Sequence, residues 1–214
     1  MKQICKLVVM LLLAFTAGVQ AQLVTYPESL NPGMPHNDDY TVRVRIPGGE
    51  WKDLFEYNVQ VDMDNVQNAS MVQFDMGSAV EVMVKKNNGS VREVTIRPLS
   101  KGIEYKQIQN AILFTLEKPQ YLSIEFDGDR LHNLHLFANP LETEKYDKEA
   151  KGIMYFSPGV HRPKDLPNNQ IRIPGNTIVY LAPGAVVKAK LLVDKAENVR
   201  IIGRGILDHP IRGI

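Results

Sequence analysis

Three segments of the chain align without gaps over nine positions: Gly152 to Val160 (GIMYFSPGV), Thr177 to Ala185 (TIVYLAPGA) and Asn198 to Ile206 (NVRIIGRGI). They follow one another at 25 and 21 residues. Ile153, Ile178 and Val199 share one position, Tyr155, Tyr180 and Ile201 another, and Gly159, Gly184 and Gly205 a third. A unit this short, built of brief strands and a glycine corner, cannot bury an apolar face by itself and must stack on its neighbours. Stacked parallel strands lie about 4.8 Å apart, so matching side chains form columns. Residues 152–214 are therefore expected to form the first coils of a right-handed parallel β-helix, with Ile153, Ile178 and Val199 as one inward column.

Upstream, the period is two. Tyr40, Val42, Val44 and Ile46 alternate with polar residues, as do Phe55, Tyr57, Val59 and Val61. The pattern recurs at Val80 to Val84, Val94 and Ile96, Ile112 to Leu116, and Leu122 to Phe126. Turn-forming residues separate the runs at Pro47-Gly48-Gly49, Gly77-Ser78, Asn87-Asn88-Gly89 and Asp127-Gly128. Short half-buried strands at this spacing indicate an antiparallel β-sandwich, expected over 22–140. Leu141 to Lys151 (LETEKYDKEAK) is charged and reads as a linker or a short exposed helical turn.

The first 21 residues stand apart. Lys2 and Lys6 precede the apolar run Leu7 to Phe15, which ends in Val19-Gln20-Ala21, the pattern of a secretory signal peptide. The run is too short to span a bilayer, which takes about 20 residues. Cleavage removes the single cysteine, Cys5, and two lysines, turning the net charge from +1 to −1. The mature chain is expected to be exported, periplasmic or extracellular, without disulfides and without a membrane span. Nucleic acid is excluded as a partner, because phosphate recognition needs clustered positive charge and no Lys or Arg run occurs.

Two stretches carry a resemblance: Leu122-Ser123-Ile124-Glu125-Phe126-Asp127-Gly128-Asp129 with Asn133 to Pro140, and Tyr155-Phe156-Ser157-Pro158-Gly159 with Gly203-Arg204-Gly205-Ile206-Leu207-Asp208. Placed after a signal peptide, in the order sandwich then β-helix, they resemble bacterial β-helical glycoside hydrolases of the polygalacturonase and dextranase group. The resemblance implies hydrolysis of glycosidic bonds in a polysaccharide of pectin or α-glucan type. It also implies catalytic aspartates on later coils. Neither Asn-Thr-Asp nor Asp-Asp occurs in 152–214, so no catalytic residue is assigned, and the chain is expected to be an N-terminal portion inactive alone. Asp208 matches the family's Gly-x-Gly-x-x-Asp coil motif and is taken as a turn or groove residue that contacts carbohydrate. The alternative is a non-catalytic carbohydrate-binding or surface-adhesion protein with a short β-helix.

An inverting glycosidase needs an acid and a base about 6.5–9.5 Å apart. By the repeat alignment the positions equivalent to Asp208 are Val187 and Arg162, not acids. His132 and His135 fall on opposite faces of a strand, and Asp127-Gly128-Asp129 lacks the oxygen ligands of a calcium loop, so no metal and no cofactor is expected. Trp51, with Tyr57, Tyr105 and Tyr121, is a candidate sugar-stacking surface. Tyr57 sits in the buried phase, which leaves Trp51, beside the Gly48-Gly49 turn, as the binding candidate or an edge-packing residue. The open end of the β-helix, with Ile206, Leu207, Ile211 and Ile214, is expected to self-associate. N-terminal sequencing of secreted material should begin near Gln22, and a start elsewhere would refute the cleavage assignment.

Overall fold

The computed structural model describes residues 22–26, 33–62, 64–162 and 169–208. Residues 1–21, Asp165, Ile211 and Ile214 lie outside that set. The described chain is all-β, with one turn of 3-10 helix at Leu99–Lys101.

The first eleven strands are β1 (Leu23–Thr25), β2 (Tyr40–Arg45), β3 (Lys52–Asp53), β4 (Tyr57–Val61), β5 (Gln67–Met76), β6 (Val80–Lys86), β7 (Val94–Arg97), β8 (Lys106–Ile108), β9 (Ala111–Leu116), β10 (Gln120–Phe126) and β11 (Leu134–Pro140). They make two sheets. One has the order β1-β5-β11-β10-β7, with β4 also paired to β5; the other has the order β3-β2-β6-β9-β8. All pairs are antiparallel except β5 with β11.

The two sheets share one apolar cluster. Val42, Val44, Val82, Val84, Ile112 and Phe114 enter from the five-stranded sheet, and Val72, Phe74, Ile124, Phe126, Leu134 and Leu136 from the six-stranded one. Each such side chain, taken fully out of water, stabilises the fold by about 1.5–3 kcal/mol. Period-two reading foresaw the inward residues of β2, β6, β7, β9 and β10. It missed β5, a central strand, because its inward series begins with Ser70 and its outward series mixes Met71 with Gln73 and Asp75, which blurs the alternation. It also put Val59 and Val61 in the buried phase, whereas both are only half-buried and Tyr57 lies outside the shared cluster, against Phe55.

The remaining strands are β12 (Ile153–Phe156), β13 (Gly159–His161), β14 (Gln170–Arg172), β15 (Ile178–Leu181), β16 (Ala185–Val187), β17 (Lys190–Leu192), β18 (Arg200–Gly203) and β19 (Ile206–Leu207). They form three parallel ladders, β12-β15-β18, β13-β16-β19 and β14-β17. Between the ladders lies a second cluster of Ile173, Val179, Leu181, Ala185, Val187 and Ala189, joined by Met154, Phe156 and Val199.

The expected inward column fails. Ile153 pairs with Ile178, but Ile178 pairs with Arg200, one residue past Val199. The inward residues of the first ladder are Met154 and Phe156, then Val179 and Leu181, while Ile153, Ile178 and the tyrosines face outward. The segments IMYF and IVYL are apolar at every position, so they carry no phase from which a face could be read. Ile201 follows Val179 in register yet is 48% exposed, since no described strand lies beyond β18.

The glycine column fails as well. Gly159 pairs with Ala185, one residue past Gly184. The third pass takes its corner with fewer residues: Gly203 pairs with Leu181 and Ile206 with Val186. That shortcut presses the backbone onto the second pass. A Cβ on Gly203, at φ +122°, would overlap the Leu181 carbonyl oxygen, and one on Gly205 would lie 2.8 Å from both Ala185 O and Leu181 Cβ. Only glycine fits at either position.

Replacing Val179, which is fully buried, by Asp should cost about 4 kcal/mol and dissolve the ladder cluster, whereas Ile178→Asp on the half-buried outer side should cost about 1 kcal/mol. Thermal unfolding followed by circular dichroism checks this, and equal losses would contradict the assigned faces.

Candidate functional site

The two residues read as carbohydrate contacts lie on different sheets. Trp51 precedes β3 at the border of the five-stranded sheet, half-buried, with the Arg45 guanidinium 4.3 Å from its ring centre. A cation over one face of an indole is attracted to it and covers that face. Arg45 is held in turn by Glu81 at 2.5 Å. Asp208 follows β19. Its amide donates to Val187 O at 2.9 Å and its carboxylate meets Lys188 Nζ at 2.5 Å. Its ladder neighbour is therefore Lys188, not Val187 as the gapless alignment implied.

Three further acids of this region, Asp194, Glu144 and Glu142, also have partners. Asp194 pairs with Arg172 at 3.2 Å and Glu144 with Arg200 at 3.4 Å. Glu142 accepts from the Tyr180 hydroxyl at 2.9 Å and approaches Arg204 at 3.8 Å. A carboxylate neutralised by a neighbouring cation is a poor general acid. Among the described carboxylates, Glu56 is the one whose pKa is raised, by burial. It lies between the sheets' edge segments, accepting Val42 N–H at 2.6 Å and contacting His36 at 3.2 Å, which marks it as a structural acceptor.

His132 and His135 do not converge. His132 Nδ1 lies 2.9 Å from Asp129, in the turn before β11, and His135 stands on β11 facing away from the core. Among the described residues no group of three His, Cys, Asp or Glu could hold a metal ion. The Asp127-Gly128-Asp129 segment is a turn: both residues 127 and 128 have positive φ, and Asp129 N–H donates to Phe126 O. Asp127 accepts the amides of Arg92 and Glu93 and contacts Lys86 at 3.2 Å; Asp129 accepts those of Leu131 and His132.

A shallow concavity lies elsewhere, on the outer face of the six-stranded sheet. It encloses about 610 Å³ and is lined by Arg97, Leu99, Tyr121, Ser123, His135 and Phe137, among others. Strand register explains the grouping. Tyr121 faces Phe137 across β10 and β11, and Ser123 faces His135 on one side and Arg97 on the other. Of the four aromatics considered for sugar stacking, Tyr121 is the most exposed, at 55%. Tyr57 is buried, and the Tyr105 hydroxyl donates to Val94 O at 3.0 Å. The signal was in the alternation: Tyr121 is out of phase with Leu122, Ile124 and Phe126.

No protein-family model matches the chain. A dextranase from Talaromyces minioluteus is 41% identical over 70 residues, covering 28% of this chain and 12% of the dextranase. The structure of Dex49A from Penicillium minioluteum superposes with a TM-score of 0.56 at 21% identity, covering 73% of this chain and 43% of that one. The chain thus spans less than half the length of either protein, and it shares a fold with the second. No helix among the described residues is long and apolar enough to cross a membrane.

Asp127 and Asp129 are both held below the usual carboxylate range, chiefly by the backbone amides of Arg92 and His132 respectively. Their folded pKa is depressed, so the stability they contribute is full above the unfolded value of about 3.9 and is lost as pH falls through the folded one. Asp127→Asn should lower the melting temperature at pH 7, with the difference from wild type shrinking below about pH 4. A difference that holds constant with pH would refute this.

Proposed function

We propose that this chain is the N-terminal portion of an exported polysaccharide hydrolase that cleaves an α-linked glucan, dextran being the first candidate. Residues 22–140 are the sandwich of that enzyme, 141–151 its linker, and 152–214 the opening coils of its right-handed parallel β-helix. The observation that carries the reading is the set of three parallel ladders in register, combined with a fold shared with Dex49A and a 70-residue likeness to a dextranase.

The catalytic pair belongs to neither part of the chain in this reading. Asp194, Asp208 and Glu144 are each paired with a base, and hydrolysis needs one carboxyl kept protonated and a second kept free. Asp208 is a groove residue held by Lys188. The exposed Ile201 and Leu207 at the last pass, with edges of β18 and β19 that no described strand pairs, make self-association of the isolated chain the expected behaviour.

The test is reducing-sugar release from dextran and from polygalacturonate. The purified 214-residue chain should release none, and the product of the reading frame extended beyond Ile214 should act on dextran. Turnover by the 214-residue chain that disappears in Asp208→Asn would overturn the assignment of chemistry to other residues. Action of the extended product on polygalacturonate alone would overturn the glucan reading.

A further inference from the structure

We infer that the outer face of the six-stranded sheet carries a binding site for a neutral oligosaccharide, built on Tyr121 and Phe137 and on the polar row Arg97, Ser123 and His135. The choice of a glucan as ligand rests on the function proposed above; the geometry of the groove does not.

Two rows of side chains run across the strands there. Tyr121 and Phe137 occupy one, their rings 5.3 Å apart and edge to face. His135, Ser123 and Arg97 occupy the next, one on each of three adjacent strands and about 4.8 Å apart. A pyranose ring has apolar C–H faces and a hydroxyl rim. Stacked on the exposed ring of Tyr121, it places its hydroxyls within reach of the polar row. The groove, at about 610 Å³, falls within the range of small-molecule sites, about 300–1,000 Å³. Its far wall is Leu99, 66% exposed on the 3-10 turn.

The site is also prepared. Glu125, on the same face of β10 and 5% exposed in its side chain, fixes Arg97 at 2.7 Å. Asn133 donates to Ser123 Oγ at 2.7 Å, orienting the hydroxyl. Both strands are central in the sheet and their opposite faces are locked into the core by Leu122, Ile124, Leu134 and Leu136. Sites on such rigid strands lose little ordering entropy when a ligand arrives.

Charge selects the ligand class. The Arg97 cation is already matched by Glu125, and burial depresses the His135 pKa, so that its imidazole is neutral at pH 7. The face therefore offers donors and acceptors without excess positive charge. That suits a neutral glucan and gives a polyuronate nothing to neutralise its carboxylates.

Isothermal titration of the 214-residue chain with isomaltotetraose, alongside tetragalacturonate, tests the inference. Isomaltotetraose should bind, Tyr121→Ala should weaken it about tenfold or more, and Tyr121→Phe should retain it within about twofold. Circular dichroism establishes that each variant is folded. No binding by the folded chain, equal affinity for tetragalacturonate, or binding lost in Trp51→Ala yet kept in Tyr121→Ala would each overturn the site. The two readings fail separately. Binding through Tyr121 with no dextran hydrolysis by the extended product removes the hydrolase and keeps the groove. Hydrolysis without binding by the folded chain does the reverse.

Discussion

The arrangement of the molecule depends on one ion pair. Arg204, in the tight corner between β18 and β19, places Nε 2.7 Å from Asp75 on β5, with side chains 15% and 3% exposed. Its Nη2 donates to Pro140 O at 2.7 Å, and Gln73 donates to Arg204 O at 3.0 Å. Burial works against the Arg204 charge, and the hydrogen bond and charge of Asp75, with Glu142, more than offset it, holding the guanidinium above its usual pKa. Tyr26 is raised by burial and then by the same carboxylate, to which it is hydrogen-bonded. One arginine thus joins the end of β11, the central strand β5 and the third pass of the ladders. Removing either partner of a buried pair of this kind leaves a charge without its counter-ion, at a cost of about 3–5 kcal/mol.

The two glycines around Arg204 acquire their meaning from that role. Gly203 and Gly205 let the third pass shortcut its corner against the carbonyls of Leu181 and Ala182. The amides of Arg204 and Gly205 both donate to Leu181 O, at 2.9 and 3.0 Å. With the backbone pinned there, the arginine side chain leaves the ladders and reaches the sheets. The segment after β11 reinforces the junction. The ring of Tyr146 lies tilted against Tyr180 at 4.9 Å, and Tyr180 lies tilted against Tyr155 at 5.2 Å, while Glu142 and Glu144 bind Tyr180 and Arg200. Residues of the 141–151 linker thus fasten to the outer face of the first ladder through a tyrosine and two glutamates.

Tyr121 shows the same logic working in favour of a ligand. Wherever period two is clean, the residues out of phase with the core are as well determined as those in phase. The face opposite Leu122 and Ile124 could have been read from β10 alone. That the face is concave, and that His135 and Arg97 flank Ser123, required the pairing of three strands distant in sequence.

The sequence by itself determined the all-β class, the inward residues of β2, β6, β7, β9 and β10, and the repetition behind the parallel ladders. Alternation and repeat are local properties that the backbone period converts directly into faces and stacks. Only the tertiary structure decided which side of IMYF and IVYL is buried, where the third pass slips by one residue, and that Asp208 lies beside Lys188. In uniformly apolar strands both faces are chemically acceptable to the core, so the choice falls to what can cover the other side, here Tyr146 and the acids beside it. The slip has a similar origin. The length of a corner is set by the carbonyls it must clear and by the salt bridge it must reach, and both lie in parts of the chain that no local pattern connects.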